Sequence, residues 1–287
     1  MNEFFSKIIG MPLLASKHGA DVDLLILYIH YLMGVLFVGW MAYFTYALWR
    51  FRQSKSPKAD YAGVKSHSST YVEVAVAVAE VLLLFALAVP FWARAVDKFP
   101  DEKDSTVIRI TAKQFDWMVR YPGVDGVFGK QDITLVSTEN PMGLIAKDPK
   151  RKAEDPQGAD DIFVEGIKEM AVPVGKPVIA HLTSLDVIHS FKVVPLRVTQ
   201  DCNPGMDIPI HFIPTATNTY QIQCSQLCGN GHYNMRALFK VLGTNEDTQY
   251  VIPAGHDTNV FGLFGTNDYT KWLASKPKVG AKAVSFE

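Results

Sequence analysis

The longest uncharged stretch of the chain, residues 24–49, constrains its fold more than any other feature. Its sequence is LLILYIHYLMGVLFVGWMAYFTYALW, 26 residues without Asp, Glu, Lys or Arg. A helix rises about 1.5 Å per residue, so this one would cross the ~30 Å hydrocarbon layer of a membrane with some tilt. Tyr43, Tyr46 and Trp49 near its end suit the membrane interface. A buried helix of a soluble protein rarely runs this far without charge, so the stretch predicts a membrane span.

A second apolar run, residues 72–95, follows after a short polar loop. Glu80 interrupts this run and Arg94 lies near its end. Two such runs joined by a short loop predict a helical hairpin that crosses the membrane twice.

The loop between the two runs, RFRQSKSPKADYAGVKSHSST, indicates the orientation. Its charged residues are five bases and one acid: Arg50, Arg52, Lys55, Lys58, Lys65 and Asp60. Short basic loops stay in the cytoplasm, so the N-terminus and everything after residue 96 are expected on the outer, periplasmic side of a bacterial cytoplasmic membrane. Residues 1–20 lack the pattern of a signal peptide, and the first span is expected to direct insertion.

After residue 96 the sequence changes to short segments rich in β-branched and aromatic residues. The segments are residues 107–119, 177–183, 187–194, 208–213 and 217–223. Bounded by Pro, Gly and Asn, they predict an antiparallel β-sandwich or barrel. The charged residues 146–161 are expected to form a mobile surface insert, and NDYTKWLASKPK a short terminal helix.

The chain is therefore predicted to have two parts. Residues 1–96 form an N-terminal segment and a transmembrane hairpin with spans at about 24–49 and 72–95, and residues 97–287 form a mainly β domain. The net charge of −1 offers no basic surface, and no nucleic-acid motif occurs, so nucleic acid is not an expected partner.

One loop, residues 224–235 with the sequence CSQLCGNGHYNM, gathers side chains that bind metals. It contains Cys224, Cys228, His232 and Met235, and the chain has only one further cysteine, Cys202. A disulfide between the two loop cysteines would leave the histidine and the methionine unexplained, and structural zinc sites use no methionine. Thiolate, imidazole and thioether together are the ligands of copper electron-transfer sites. Of these three alternatives, copper is favoured.

The number of cysteines bears on the number of copper ions. A mononuclear site of this kind uses one cysteine, whereas the loop supplies two. Two thiolates can bridge two copper ions, and each ion would then need a histidine. The segment DVIHSF contains His189, which supplies a second imidazole. A lone histidine on a strand is ordinarily a packed side chain, so the metal role depends on the neighbouring loop.

DVIHSF and CSQLCGNGHYNM, behind a two-helix anchor, resemble subunit II of the haem–copper cytochrome c oxidases. The resemblance extends from the first span to about residue 242. It implies a cupredoxin-like β-sandwich that holds a dinuclear copper centre, called CuA. By that pattern the copper ligands are the side chains of His189, Cys224, Cys228, His232 and Met235 and the main-chain carbonyl of Gln226. Phe191 and Leu227 are expected to keep water away from the centre.

The chain departs from the family pattern at Gln226, where the family usually has a glutamate. That glutamate helps to bind magnesium or manganese at the boundary with subunit I. A neutral amide is a poorer ligand for a hard cation, which puts this second metal site in doubt. Asp201, in the turn QDCNPGM, resembles an acidic residue of the family and is expected to face that region. Cys202 is expected to be a packed residue without a redox role.

The segment TAKQFDWMVRYPG resembles the aromatic segment through which electrons from cytochrome c enter the family's copper centre. The family commonly has two tryptophans there, and this chain has Phe115 at the first position and Trp117 at the second. Simple strand packing is the alternative for Phe115. The missing tryptophan suggests a different donor or docking mode, such as a membrane-bound cytochrome in a larger assembly.

Glu73, at the cytoplasmic start of the second span, matches a family glutamate near the mouth of a proton-uptake pathway in subunit I. Ionisable groups within a span are costly and usually functional, although a role in helix pairing is the alternative. Glu80 lies two helical turns further on and is expected to face protein, without a specific role.

The resemblance implies a subunit of a proton-pumping oxygen reductase that accepts electrons from a cytochrome c-type donor and passes them to haem in subunit I. Subunit I, subunit III, the donor and membrane lipid are the expected partners. Quinol-oxidising relatives lack the copper ligands, and nitrous oxide reductase needs a propeller domain for which this chain has no room. A membrane-tethered copper-delivery protein is the alternative from another class, but it would need exposed, exchangeable ligands.

Overall fold

The computed structural model describes residues 8–58, 61–63, 65–164, 169–244 and 268–280. The chain divides into two compact units. Ala20–Asp97 belongs to a helical unit, and Met11–Gly19 belongs with the described residues from Lys98 onward to a β unit. The predicted division, by contrast, placed all of residues 1–96 in the N-terminal part.

The helical unit contains two long apolar helices, α1 (Gly19–Arg50) and α2 (Ser68–Val96). Their most apolar windows have mean hydropathies of 2.0 and 2.5 and bury no residue inside the chain. By length and composition both helices can cross a membrane, and they contain the predicted spans. An ion pair of 3.0 Å between Asp21 and Arg94 joins the start of α1 to the end of α2.

Helix α2 widens to π-helical geometry at Leu83–Ala88, where the N–H of Val89 donates to the carbonyl of Leu84. Pro90 follows directly. A proline has no N–H to donate and its ring crowds the carbonyl four residues earlier, and a wider turn before it relieves that crowding.

Among its described residues, the β unit contains ten strands in two five-stranded sheets. The strands are β1 (Thr106–Lys113), β2 (Asp116–Tyr121), β3 (Ile162–Val164), β4 (Glu169–Pro173), β5 (Val178–Ser184), β6 (His189–Val193), β7 (Val198–Cys202), β8 (Ile208–Phe212), β9 (Asn218–Cys224) and β10 (Arg236–Leu242). One sheet has the order β3-β2-β1-β5-β8 and the other β4-β10-β9-β6-β7. The predicted mainly β, cupredoxin-like sandwich is confirmed.

The expectation of a purely antiparallel arrangement is wrong for two strand pairs. β1 pairs with β5 and β4 pairs with β10 in parallel. Each pair joins strands that are distant in the chain, so no local turn signal could reveal them. The predicted strand at residues 107–119 is in fact a hairpin, because Lys113 pairs with Asp116 and the chain reverses over Gln114 and Phe115.

Aromatic side chains fill the space between the sheets. Trp117, Phe191, Phe212 and Phe239 are each at most 1% exposed. Trp117 meets Phe191 edge-on at 5.7 Å, and Phe239 lies 6.0 Å from Phe212 and 6.4 Å from Phe191. Burying one such side chain contributes roughly 1.5–3 kcal/mol. This packing fixes β6 and β9, the strands that lead to the metal-binding residues.

The segment Met11–Gly19 adds to the β unit before the chain enters α1. The N–H of Ala15 donates to the carbonyl of Pro195 at 2.8 Å, and the carbonyl of Ala15 accepts from Thr215 at 2.9 Å. The guanidinium of Arg197 donates to the carbonyls of Pro12 at 2.8 Å and Leu13 at 3.1 Å. The segment that precedes α1 in the chain is therefore part of the β unit.

Residues 146–161 are not the simple surface insert that the sequence predicts. Asp155 and Asp161 are 2% and 1% exposed, and Asp161 lies 3.6 Å from the buried guanidinium of Arg120. The carboxylates of this segment accept main-chain N–H bonds from Gly129 and Lys130. Charged residues therefore pack this segment against the sheet instead of solvating it.

The predicted terminal helix is confirmed as α3 (Tyr269–Ala274). Its Trp272 is buried and donates to Glu169 on β4 at 3.1 Å. Burial alone would raise the pKa of Glu169, but hydrogen bonds from Lys240, Lys276 and Trp272 lower it to about 2. The helix is thus fastened to the second sheet by a carboxylate that stays charged at neutral pH.

Candidate metal centre

The metal-binding residues meet at one end of the second sheet. His189 is the first residue of β6, and Cys224 is the last residue of β9. These strands pair antiparallel, with Phe191 opposite Cys224. The loop from Cys224 to Met235 closes on itself, because the N–H of Cys224 donates to the carbonyl of Met235 at 3.1 Å.

The two loop thiols lie side by side. Both are free, and their Sγ atoms are 3.8 Å apart. A disulfide requires about 2.05 Å, so the disulfide alternative does not describe this structure. Burial, with the neighbouring Cys224 as the next cause, raises the pKa of the Cys228 thiol to about 11. Two thiolates this close repel each other, and a bound cation would relieve that repulsion.

Each thiol has an imidazole beside it. Nδ1 of His189 lies 3.9 Å from Sγ of Cys224, and Nδ1 of His232 lies 3.5 Å from Sγ of Cys228. The ligand atoms of His189, Cys224 and Cys228 all fall within 4.8 Å of one another. This cluster is compact enough to hold a metal ion.

Two weaker donors complete the set. Sδ of Met235 lies 3.7 Å from Sγ of Cys228, and the main-chain carbonyl of Gln226 lies 3.1 Å from Sγ of Cys224. Soft thiolates and a thioether with imidazole nitrogens suit copper, whereas a zinc site would leave the methionine without a purpose. The residues present therefore fit copper.

The carboxylate of Asp186, for which no role was predicted, orients His189. Nε2 of His189 lies 2.8 Å from Oδ1 of Asp186, which leaves Nδ1 free to face the thiol. Burial would raise the pKa of Asp186, but hydrogen bonds from the N–H of Gln114 and from His189 outweigh burial and lower it. The position of Asp186 in DVIHSF, three residues before the histidine, was the signal available in the sequence.

The interior side of the centre is dry, and its outer side is open. His189 and Phe191 are fully buried, and Met235 is 2% exposed. Leu227 is 78% exposed, so the expectation that it shields the centre is wrong for this chain taken alone. His232 is half-buried beside a cleft of ≈ 240 Å³ that Tyr233 and Arg236 also line.

The two predicted residues of the electron path differ in exposure. Trp117 is fully buried and its ring lies edge-on 6.4 Å from His189. Phe115 is 41% exposed at the β1–β2 turn. Of the pair, Phe115 alone reaches the surface.

The ring of Phe115 packs on the metal-binding loop. A Cβ atom added at Gly231 would lie 2.4 Å from Cδ2 of Phe115, and one added at Gly229 would lie 3.1 Å from its Cζ. Gly229 also has a φ of +133°, which side chains rarely adopt. Glycines at these positions let the aromatic ring approach the loop, a requirement that the sequence analysis missed.

The other residues singled out from the sequence are not part of the cluster of metal-binding side chains. Glu73 and Glu80 are exposed on α2. Asp201 is exposed on β7 opposite Ser190, and among the described residues no hydrogen bond or ion pair joins it to the side chain of Gln226. Cys202 lies opposite His189, fully buried, and burial raises the pKa of its thiol to about 12, so it remains a protonated packed residue.

A two-sheet β unit in which one loop and the start of β6 bring two thiols, two imidazoles and a thioether together has the donor set of a copper-binding domain. The family model for the periplasmic domain of cytochrome c oxidase subunit II matches residues 151–242. An alternative cytochrome c oxidase subunit 2 of Bradyrhizobium diazoefficiens is 32% identical over 207 residues, which are 72% of this chain and 70% of that protein. A cytochrome c oxidase subunit 2 of Cereibacter sphaeroides is 28% identical over 69% of this chain and 64% of its own length.

Among solved structures, the periplasmic domain of subunit II of cytochrome oxidase (CoxB) of Bradyrhizobium japonicum is 26% identical. It covers 51% of this chain and 88% of its own, with a TM-score of 0.34. The fold assignment accordingly rests on the strand order given above and on the sequence relatives. The chain belongs to the cytochrome c oxidase subunit II family, whose members are subunits of a haem–copper enzyme complex. Two helices of spanning length and a periplasmic-domain match indicate an inner-membrane protein with a periplasmic domain.

The contact between Phe115 and the loop predicts the effect of Gly231→Ala. The φ of Gly231, −91°, suits alanine, so the new methyl group would act only by colliding with the ring of Phe115. Overpacking of this kind costs about 1–3 kcal/mol, and we expect less copper bound per chain after reconstitution. The double variant Phe115→Ala with Gly231→Ala should recover copper binding, and equal losses in the single and double variants would contradict the packing.

Proposed function

We propose that this chain is the electron-accepting subunit of a proton-pumping haem–copper oxygen reductase. It takes electrons from a cytochrome c-type donor at a dinuclear copper centre and delivers them to haem in subunit I. The observation that carries the proposal is the pair of free thiols 3.8 Å apart, each with its own imidazole within 3.9 Å, in a member of the subunit II family.

The copper ligands proposed are His189, Cys224, Cys228, His232 and Met235, with the main-chain carbonyl of Gln226. Held by these residues, a pair of copper ions would supply a redox group that accepts and gives up one electron at a time. The protein keeps these ligands in place with the β6–β9 ladder and with Asp186, and it excludes water on the interior side with Phe191 and Trp117.

The two sides of the loop suggest two partners. Phe115, whose ring packs on the loop, is exposed, as are Leu227 in the loop and Val187 and Ile188 just before His189. We propose these apolar residues for the donor, with the buried Trp117 beside His189 on the electron path. The donor is a soluble or membrane-bound cytochrome, the latter within a supercomplex. His232, beside its open cleft, is proposed to face subunit I. Subunit III and membrane lipid complete the proposed surroundings.

A neighbouring magnesium or manganese ion is not part of this proposal. Asp201 is the one carboxylate predicted for that region, and the side chain of Gln226 is a neutral amide. A hard cation prefers several charged oxygens, so these two residues form a poor set of ligands on their own.

Electron paramagnetic resonance of the purified oxidase complex tests the copper assignment. We expect a hyperfine pattern from one electron shared by two copper nuclei, because two adjacent thiols, each with an imidazole beside it, provide donors for two ions. Cys224→Ser or Cys228→Ser should abolish this pattern while the complex still assembles. Cys202→Ala is the matched control, since the buried Cys202 is not one of the proposed ligands although it lies opposite His189, and it should leave the pattern unchanged. A mononuclear copper spectrum in the wild-type complex would contradict the proposal and favour a copper-delivery protein.

The proposed topology has two membrane crossings. The chain leaves the β unit at Gly19 to enter α1 and returns to it after Asp97 at the end of α2. Both ends of the helical segment therefore join the same domain, which supports an even number of crossings. The loop that contains Arg50 and Arg52 then lies in the cytoplasm, as its positive charge favours.

Labelling from one side of the membrane tests this topology. Gln53 is exposed in the loop between the helices, and Gln53→Cys should react with an impermeant thiol reagent only in inverted membrane vesicles. Labelling of the wild-type chain under the same conditions gives the background from its own cysteines. Reaction of Gln53→Cys in right-side-out vesicles would contradict the topology.

Glu73 is proposed to take part in proton uptake at the cytoplasmic side. Replacing its carboxylate by an amide removes a proton-carrying group without changing size, so Glu73→Gln should slow steady-state oxygen reduction several-fold. Reduction of the copper centre by the donor should keep its rate, since it precedes proton uptake. Glu80→Gln, on the same helix, is the matched control and should behave as the wild type. Equal turnover in both variants would remove Glu73 from the proton route.

A further inference from the structure

A chain of hydrogen bonds connects the two segments that carry the proposed copper ligands. Asp186 accepts through Oδ1 from Nε2 of His189 at 2.8 Å and through Oδ2 from the N–H of Gln114 at 2.6 Å. The side-chain amide of Gln114 then donates to the main-chain carbonyl of Cys228 at 2.5 Å. The path from His189 on β6 to Cys228 in the loop therefore runs through two residues, Asp186 and Gln114.

We propose that Gln114 is a positioning residue of the metal centre, one that fixes the main chain at Cys228 and links it to His189 through Asp186. This inference rests on the proposed function, because it assigns Gln114 to the same copper site. Gln114 touches no proposed ligand atom, so its effect passes through the Cys228 peptide and through the carboxylate that orients His189.

The backbone around Cys228 explains why a hydrogen bond from Gln114 can position this residue. Cys228 is followed by a turn, in which the carbonyl of Gly229 accepts from the N–H of His232 at 3.1 Å. Cys228 itself is 4% exposed and belongs to no strand, and its carbonyl takes its hydrogen bond from Gln114. The peptide that follows Cys228 leads into the unusual backbone of Gly229, with φ +133°. A fixed donor at this carbonyl sets the direction of the peptide and, with it, that of the cysteine side chain.

The location of Gln114 connects this hydrogen-bonded path to the proposed route of electron transfer. It lies on the β1–β2 turn directly before Phe115, whose ring packs on Gly231. The same turn thus holds the exposed aromatic residue and the loop of Cys228 at a fixed separation. Outer-shell hydrogen bonds of this kind limit how far ligands move when the charge of a metal centre changes.

The test uses Gln114→Glu in the purified oxidase complex. Glutamate has the same length, but an ionised carboxylate cannot donate to the carbonyl of Cys228. Loss of an outer-shell partner typically reduces metal affinity 10–100-fold, so we expect the variant to retain copper against a chelator at least about tenfold less well. We also expect altered copper hyperfine couplings and an unchanged thermal midpoint of unfolding.

Gln131→Glu is the matched control. The amide of the exposed Gln131 likewise donates to a main-chain carbonyl, that of Met142 at 3.0 Å, and the segment that contains it contributes no residue to the centre. This variant should retain copper as the wild type does. Gln114→Ala provides a second variant without added charge and should reproduce the loss seen with Gln114→Glu.

The outcomes separate this inference from the proposed function. Copper retention and hyperfine couplings in Gln114→Glu that match those of Gln131→Glu would overturn the positioning role. Unfolding of both Gln114 variants would overturn it as well, because the residue would then serve the fold instead of the site. A wild-type complex without a shared-electron copper signal would count against the proposed function itself.

Discussion

The pairing of β6 with β9 is the constraint on which the rest of the molecule depends. It places Phe191 opposite Cys224 and so brings His189, from a distant part of the chain, to the two thiols of the loop. Neither the loop nor the histidine forms a metal site alone, since the loop has one imidazole for two thiols. The aromatic core under these strands, including the fully buried Phe191 and Phe239, keeps their register fixed.

Charge and burial then decide what this end of the sheet can bind. Two adjacent thiols and the carboxylate of Asp186 concentrate potential negative charge, and the raised pKa of Cys228 reflects this concentration together with burial. A soft cation is the natural counterpart, and dry packing on the inner side protects it from water. The outer side is left open, with Leu227 and Tyr233 exposed, which suits the proposed exchange of electrons with other proteins.

Sequence reasoning identified the elements with strong local signals and missed those that depend on distant pairing. The two apolar helices, the terminal helix and the ligand-rich loop follow from composition and spacing. The parallel pairing of β1 with β5, the packed segment around Asp161 and the association of Met11–Gly19 with the β domain did not. Each of these depends on contacts between residues far apart in the chain, for which no periodicity exists.

The sequence by itself determined the apolar helices long enough to span a membrane, the class of donor atoms and the family, because long apolar runs and a short ligand-rich loop are local features of the chain. Only the tertiary structure decided how those donors meet. In the folded chain, Asp186 orients the imidazole of His189 and is linked to Cys228 through Gln114. Phe115 lies at the surface, whereas Trp117 is buried. The physical reason is that hydrogen-bond direction and burial depend on strand register and turn geometry, which the folded sheets set and a linear pattern of residues does not contain.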